Sequence, residues 1–464
     1  MRPKKTLDMT QGPVLGKLLT FVIPVILSNL LQQMYTIADR VVVGRFAADG
    51  TTALAAVGST GQVTALFTYL FLGLSLGANI TCSNFRGAKD QESVKRCMHT
   101  AIPFSLLCGV FVCILGELCA GPMLSLLGTP AVLMESAKLY VRIYFLGVPA
   151  SLMFNFGAGI LRAHGDSKRP MYILSATGVV NVGLNLVFVI GCGMSVEGVA
   201  LATIISQYLN FIIVFWILFS PKDEYKMSVK ELCLDKKMVT SIAKIGVPAG
   251  LNSTVFIFSN TFVLAGVNSF NSAIISAGKT AANDLSAMLY QVIMGMYTGC
   301  VNFSGQCYGA KKYRRIDRLA VTAMGLGSAI LLTGSVLYTI FGRQLMHIFN
   351  SDPAVIEAGM GVLLINVWFY VLYLAAEVPL GCTRGMRKAS VPSVLNVIGI
   401  CVPRIIWVSL FFPMYRTVTF LYVCYPISWF ISATMQWGYY FYIRKKISVE
   451  NAQETVLYQG RVAK

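Results

Sequence analysis

Charge is what this chain has least of. Only 12% of its 464 residues are Asp, Glu, Lys or Arg, against about 25% in a soluble domain. A soluble protein of this length must cover its surface with charge, and the residues for that surface are missing. Histidine is nearly absent, with only His99, His164 and His347, and the twelve cysteines are scattered without a CxxC pair. That pattern excludes a zinc framework or a disulfide scaffold, and the cysteines read as small buried hydrophobes. The sequence holds no GxxxxGK[ST] phosphate loop, no CxxCH, no HExxH and no long soluble segment. An ATP-driven motor, a haem protein and a zinc hydrolase are therefore excluded. No nucleophile or metal constellation of a membrane-embedded enzyme is present either, and no cofactor is expected. If the chain drives transport, its energy comes from an ion gradient.

What the chain has in quantity is apolar sequence. It is 56% hydrophobic, and its mean hydropathy is +0.66. Apolar runs lie at about 14–38, 52–78, 97–120, 132–160, 170–192, 197–219, 239–266, 273–300, 319–342, 355–380, 391–412 and 418–443. Runs of about 20 residues suit membrane-spanning helices, not the roughly ten-residue alternating strands of a barrel. The expected fold is an all-α integral membrane protein with twelve transmembrane helices. It divides into an N-terminal six-helix lobe (1–220), a linker (221–238), a C-terminal six-helix lobe (239–443) and a charged tail (444–464). The basic start leads into an apolar run too long for a signal-peptide core, so that run reads as a true first span.

The net charge is +18. On a soluble protein this would point to nucleic acid. Here Lys and Arg cluster in alternate loops, such as Lys89, Lys95 and Arg96; Arg162, Lys168 and Arg169; Lys311, Lys312, Arg314, Arg315 and Arg318; and Arg384, Arg387 and Lys388. The intervening loops hold few, chiefly Arg40, Arg45, Lys279, Arg343 and Arg416. This is the positive-inside pattern. It predicts a plasma-membrane protein with both termini and the linker in the cytoplasm, with the bilayer and not nucleic acid as its partner.

The two halves resemble each other. Asn84-Phe85-Arg86-Gly87-Ala88-Lys89 parallels Gln306-Cys307-Tyr308-Gly309-Ala310-Lys311, and Arg162 with Pro170 parallels Arg384 with Pro392, all at one offset of 222 residues. Six spans separate the copies, so they share one orientation in the membrane, as a parallel repeat does. Pro24, Pro149, Pro248, Gly295, Pro379 and Pro403 fall inside spans. They are either packing features of a bundle or bend points for alternating access.

Acids are missing from most spans, which singles out Asp39 at the end of the first. A carboxylate in hydrocarbon is expensive and by default marks an ion or proton site. Gln32 and Tyr35 lie seven and four residues before it, on the same helical face. The stripe reads as a cavity wall, or else Asp39 and Arg40 mark the headgroup end of the span. Asn181 and Asn185 are one turn apart in the fifth span, suited to interhelical contact. Thr203 adds a hydroxyl in the sixth. Lys138 and Arg142 read as snorkelling residues. Glu377 reads as a partner for Arg384 at the cytoplasmic end, and Asp284 as a residue of a loop or of the first turn of the eighth span. Met153, Phe154, Met288, Met294 and Tyr297, with Asp284, are candidates for an adaptable substrate pocket, since Met accommodates varied ligands. Core or lipid-facing packing is the competing reading for each.

Taken in order, these residues resemble the multidrug and toxic compound extrusion (MATE) transporters, of the multidrug/oligosaccharide-lipid/polysaccharide flippase superfamily. The resemblance rests on Ile23-Pro24 through Gln32-Gln33-Met34-Tyr35-Thr36-Ile37-Ala38-Asp39, the two [Asn/Gln]-x-x-Gly-Ala-Lys turns, Leu161 to Lys168, and Gly198-Val199-Ala200-Leu201-Ala202-Thr203. It covers essentially the whole chain. It implies two six-helix lobes around a central cavity that opens to alternate sides, with a monomeric antiporter exporting amphipathic, often cationic compounds against H⁺ or Na⁺. It further implies Asp39 as the titrating acid, with Gln32, Tyr35, Tyr140, Asn181 and Thr203 as its polar surroundings. Two departures stand out: Asn185 where the family often has Asp, and a seventh span without the glutamate of another branch. The chain is thus closer to the DinF-like or a related bacterial branch, and proton coupling is favoured over a transient Na⁺ site near Asp39. A flippase for lipid-linked saccharides is the nearest alternative. It would need several basic residues inside the spans, and here they lie mainly in loops.

Overall fold

The computed structural model describes residues 6–462 except 47–49, 127–128, 221–224, 226 and 350. Arg2, Lys4, Lys5, Lys222 and Lys226, and the side chains of Arg40 and Arg45, lie outside the described residues. Ten long helices come first: α1 (Val14–Phe46), α2 (Gly50–Gly87), α3 (Gln91–Leu126), α4 (Ala131–Ala163), α5 (Lys168–Asn185), α6 (Val196–Phe219), α7 (Lys236–Asn268), α8 (Ala273–Gly309), α9 (Tyr313–His347) and α10 (Pro353–Gly385). An eleventh span, Ser390–Met414, is a chain of short α and π turns, and a twelfth covers Val418–Glu450. No strand occurs among the described residues.

Eleven of these elements are long and apolar enough to cross a bilayer by length and composition. The twelfth, α8, has 37 residues but is less apolar, since it carries Lys279, Asn283 and Asp284 in its first half. Asp284 therefore lies in the body of α8, not in a loop or first turn. Several starts are capped as their sequences dictate: Asp352 Oδ1 accepts from the Ala354 N–H (2.9 Å) just before Pro353, and Thr417 Oγ1 accepts from the Phe420 N–H (3.2 Å).

The repeat seen in the sequence is repeated in the backbone. Lys89 and Lys311 both adopt left-handed φ (59° and 56°), as do Gly165 and Arg387 (83° and 61°), each pair at the 222-residue offset. The hydrogen bonds match too. Lys89 N–H donates to the Arg86 carbonyl (3.0 Å) and Asp90 N–H to Phe85 (3.1 Å); Lys311 donates to Tyr308 (3.0 Å) and Lys312 to Cys307 (2.8 Å). Such left-handed closures satisfy the last carbonyls of a helix. α5 ends in a π turn at Leu186–Gly191, and the eleventh span has another at Trp407–Phe411.

The chain forms two compact units, Met1–Ile257 and Phe258–Lys464. The first half of α7 belongs to the first unit, and glycine explains why. Gly73 and Gly77 of α2 face Gly246 and Gly250 of α7. A β-carbon on Gly73 would meet the Gly250 nitrogen at 2.3 Å, and one on Gly246 would meet the Leu74 Cα at 2.6 Å. Both helices carry Gly-x-x-x-Gly, the pattern that lets two backbones touch in a membrane.

The segment before α7 is pinned to the start of α3. Lys95 Nζ lies 2.7 Å from Glu231 Oε1, Arg96 pairs with Asp235, and His99 Nε2 accepts from the Ser228 N–H (3.0 Å) while Nδ1 donates to the Lys95 carbonyl. The Lys95 bond holds Glu231 below its ordinary 4.5, and the Lys237 N–H and Arg96 hold Asp235 below its ordinary 3.8.

Two outcomes are expected. Gly246→Val should cost about 1–3 kcal/mol by overpacking and lower the melting temperature of the purified protein, while Gly325→Ala, with open space around it, should not. Because both carboxylates are depressed, their contribution is complete at neutral pH and is lost as pH falls through the lowered values. Amide-exchange protection at 228–235, the observed rate divided into the intrinsic rate at each pH, should therefore be high at neutral pH and fall below about pH 4.

Candidate functional site

Tyr35 and Asp39 sit four residues apart on one face of α1, and that face lies against α5. The Tyr35 hydroxyl donates to the Ser175 carbonyl (3.1 Å). Its ring occupies the space over Gly178, where a β-carbon would fall 1.8 Å from the ring. One turn further on, Asn185 Nδ2 donates to Asp39 Oδ1 (2.5 Å) and lies 3.4 Å from Asn181 Oδ1. α1 and α5 run in the same direction, as odd-numbered spans must, so Asp39 meets α5 further along than Tyr35 does. Thr177 Oγ1 donates to Asn210 Oδ1 (2.6 Å) and ties α5 to α6.

Asn185 is fully buried and Asn181 is 6% exposed, while Asp39 is half-buried. The Asp39 carboxyl is joined to a buried amide. Asn185 Oδ1 has no hydrogen-bond partner among the described residues, a condition that costs about 1–3 kcal/mol. An ionised Asp39 accepts from Nδ2. A protonated Asp39 donates to Oδ1 once the amide turns over, an exchange of positions that asparagine makes without changing shape. A second aspartate at 185 would instead set two carboxylates together, and one would have to hold a proton.

Of the remaining expected neighbours, none bonds to Asp39. Gln32 is exposed, Thr203 Oγ1 donates to the Val199 carbonyl of its own helix (2.9 Å), and Tyr140 stacks on Tyr144 at 6.3 Å. The substrate candidates scatter. Met153 and Phe154 lie in the hydrophobic core of the first unit. Met288 is 38% exposed, and Asp284 and Met294 are half-buried. Tyr297 accepts from Arg384 Nη1 (2.7 Å). Arg142 pairs with Glu117 (2.8 Å), so it is more than a snorkelling residue.

The second unit contains charges that sequence reading misplaced or missed. Glu377 is 5% exposed and makes no ion pair with Arg384, which gives its donors to Tyr297 and Ser393. Arg404 is completely buried. It donates to Ser428 Oγ (3.1 Å) and Asn260 Oδ1 (2.8 Å), with its guanidinium 4.3 Å from the Tyr425 ring centroid. A lone Arg inside an apolar run was the available signal. Among the described residues no three His, Cys, Asp or Glu gather as a metal site. Near Asp39 a hard cation would have one carboxylate and otherwise amide oxygens.

Comparison with known proteins bears on what such a site does. The MatE family model matches residues 24–187 and again 248–408. The protein named "Probable multidrug resistance protein YoeA" of Bacillus subtilis is 26% identical over 456 residues, covering 96% of this chain and 97% of YoeA. Multidrug export protein MepA of Staphylococcus aureus is 26% identical over 377 residues, covering 79% and 80%. A solved transporter of the MOP superfamily from Pyrococcus furiosus superposes with a TM-score of 0.88 at 20% identity, covering 97% of this chain and all of that one.

Gly178→Val should displace the Tyr35 ring from α5 and cost about 1–3 kcal/mol. Thermal melting of the purified protein should show the loss, and Gly183→Ala, which meets nothing within 4 Å, should melt like the parent.

Proposed function

The chain belongs to the MatE family of transporters, and on that premise we propose that it is a cation-coupled antiporter exporting amphipathic, often cationic compounds by alternating access. It is an integral membrane protein and a carrier, not an enzyme. The observation that carries the coupling reading is the Asp39–Asn185 pair, an acid joined to a buried amide between α1 and α5.

The cycle follows from elementary electrostatics. With its site open to the outside, Asp39 is ionised and holds Asn185 as donor. Taking up a cation removes the local charge, frees α1 to repack on α5, and weakens the hold on the exported compound. A cation can drive this only through unequal affinity for the two states. The membrane potential adds about 2.3 kcal/mol per charge per 100 mV. Proton coupling is preferred to Na⁺, because position 185 supplies a neutral amide where a second carboxylate would help cage a metal ion. Cytoplasmic termini follow from the Lys and Arg asymmetry. The relatives' names supply the substrate class.

Asp39→Asn should abolish dye efflux from vesicles while leaving expression and melting intact. Asn185→Ala should slow efflux less. A pH gradient alone should drive the wild type and a Na⁺ gradient alone should not. Wild-type efflux by Asp39→Asn would remove the acid from the mechanism.

A further inference from the structure

Where α9 begins, the second unit holds a cavity of about 630 Å³ lined by Lys311, Lys312, Arg314, Arg315, Arg318 and Arg444. One carboxylate, Asp317, shares the lining, and it is already engaged. Arg444 Nε and Nη2 bond its two oxygens at 2.7 Å each, and the Tyr440 hydroxyl donates to it at 2.7 Å. Arg314 and Arg318 form no ion pair with any described residue. The cavity is concave, and its lining holds six basic residues and one acid.

The internal repeat supplies a control for this arrangement. The turn that closes α8 copies the one that closes α2, down to left-handed Lys311 and Lys89. After the first copy, the next helix starts with acids: Asp90 Oδ1 accepts from the Ser93 N–H (3.0 Å), and Glu92 stands in the first turn. After the second copy, Lys312 and Arg314 occupy those two positions. α9 has no acid in its first turn, and its N-cap side chain makes no capping hydrogen bond. The N-terminal end of a helix carries partial positive charge and spare N–H groups, so cations there are unfavourable and anions welcome. The positive-inside pattern asks for cations in this loop. It does not ask for a basic cavity around an uncapped helix start.

We propose that this cavity binds the phosphate of an anionic phospholipid headgroup. α9 starts at Tyr313 and its apolar run starts at about 319, so the cavity lies within about two turns of that run, on the side where the helix leaves hydrocarbon for the headgroups. Guanidinium groups recognise phosphate oxygens bidentately, and the uncapped N–H groups complete the cradle. A soluble phosphate presents the same chemistry, and the test separates the two. The proposal is independent of the transport reading and needs no transport assay.

The experiment uses the full chain in neutral detergent. Melting temperature and native mass spectrometry are followed with added phosphatidylglycerol, phosphatidylcholine or inorganic phosphate. Phosphatidylglycerol should stabilise the wild type and remain bound, and phosphatidylcholine should do neither. Arg314→Gln with Arg318→Gln should weaken retention about tenfold or more. Lys230→Gln with Lys237→Gln, removing equal charge elsewhere, should change nothing. Lys312→Asp copies the Asp90 cap. It should melt at or above the wild type without lipid, yet lose the lipid response, so a folding failure of the double variant leaves the question answerable. Equal lipid response in wild type and cavity variants, or equal loss in the linker control, would overturn the proposal. Full stabilisation by inorganic phosphate, with no further effect of phosphatidylglycerol, would overturn it in favour of a soluble ligand.

Discussion

Hydrocarbon offers no hydrogen bonds, and that constraint decides where each polar group in this protein stands. Every backbone amide within a span must be paired inside the protein, which leaves helices as the form these apolar runs take. Side chains obey the same rule. Thr64, Ser105 and Thr383 turn their hydroxyls back onto carbonyls of their own helices. Asn210, Asn260 and Ser428 take bonds from other elements. Against that background, a polar atom without a partner is informative, and Asn185 Oδ1 is one, beside the single carboxylate of α1.

The same constraint gives the Asp39–Asn185 pair its chemical meaning. A buried carboxylate is costly in either fixed state: ionised it needs donors, and protonated it needs an acceptor. Asparagine offers one of each on a single planar group. The pair can therefore follow a change of protonation without a void or a clash, whereas a leucine at 185 would strand the acid and an aspartate would repel it. Tyr35, locked over Gly178, holds α1 at the distance where this exchange is possible.

The helices and the repeat were legible because each is written locally. Apolar length sets the spans, charge alternation sets their grouping, and the Gly-Ala-Lys turns recur at a fixed offset. What was not legible depends on helix rotation about its axis. Periodicity put Gln32 on the stripe with Tyr35 and Asp39, and Gln32 is exposed while those two are half-buried. Thr203 looked available, yet a threonine in a helix finds its own i−4 carbonyl first. Glu377 looked like a partner for Arg384 because it lies close to the basic loop there. Arg384 found Tyr297 and Ser393 nearer. Arg404 was hidden by the assumption that basic residues belong in loops.

The two halves keep their turns and diverge inside. Turn geometry is a backbone matter, fixed by left-handed residues and helix-end carbonyls, so different sequences, Lys-Asp in one half and Lys-Lys in the other, close the same way. Interiors are a side-chain matter. At the 222-residue offset, Asn181 and Asn185 correspond to Pro403 and Trp407, and the second half places a buried arginine beside its proline. At these positions one half thus sets the carboxylate of Asp39 beside a buried amide, and the other sets the buried guanidinium of Arg404. A duplicated bundle with two identical sites would respond to one cation in both halves. The second half instead buries Glu377 and Arg404, so the two halves do not carry identical polar groups.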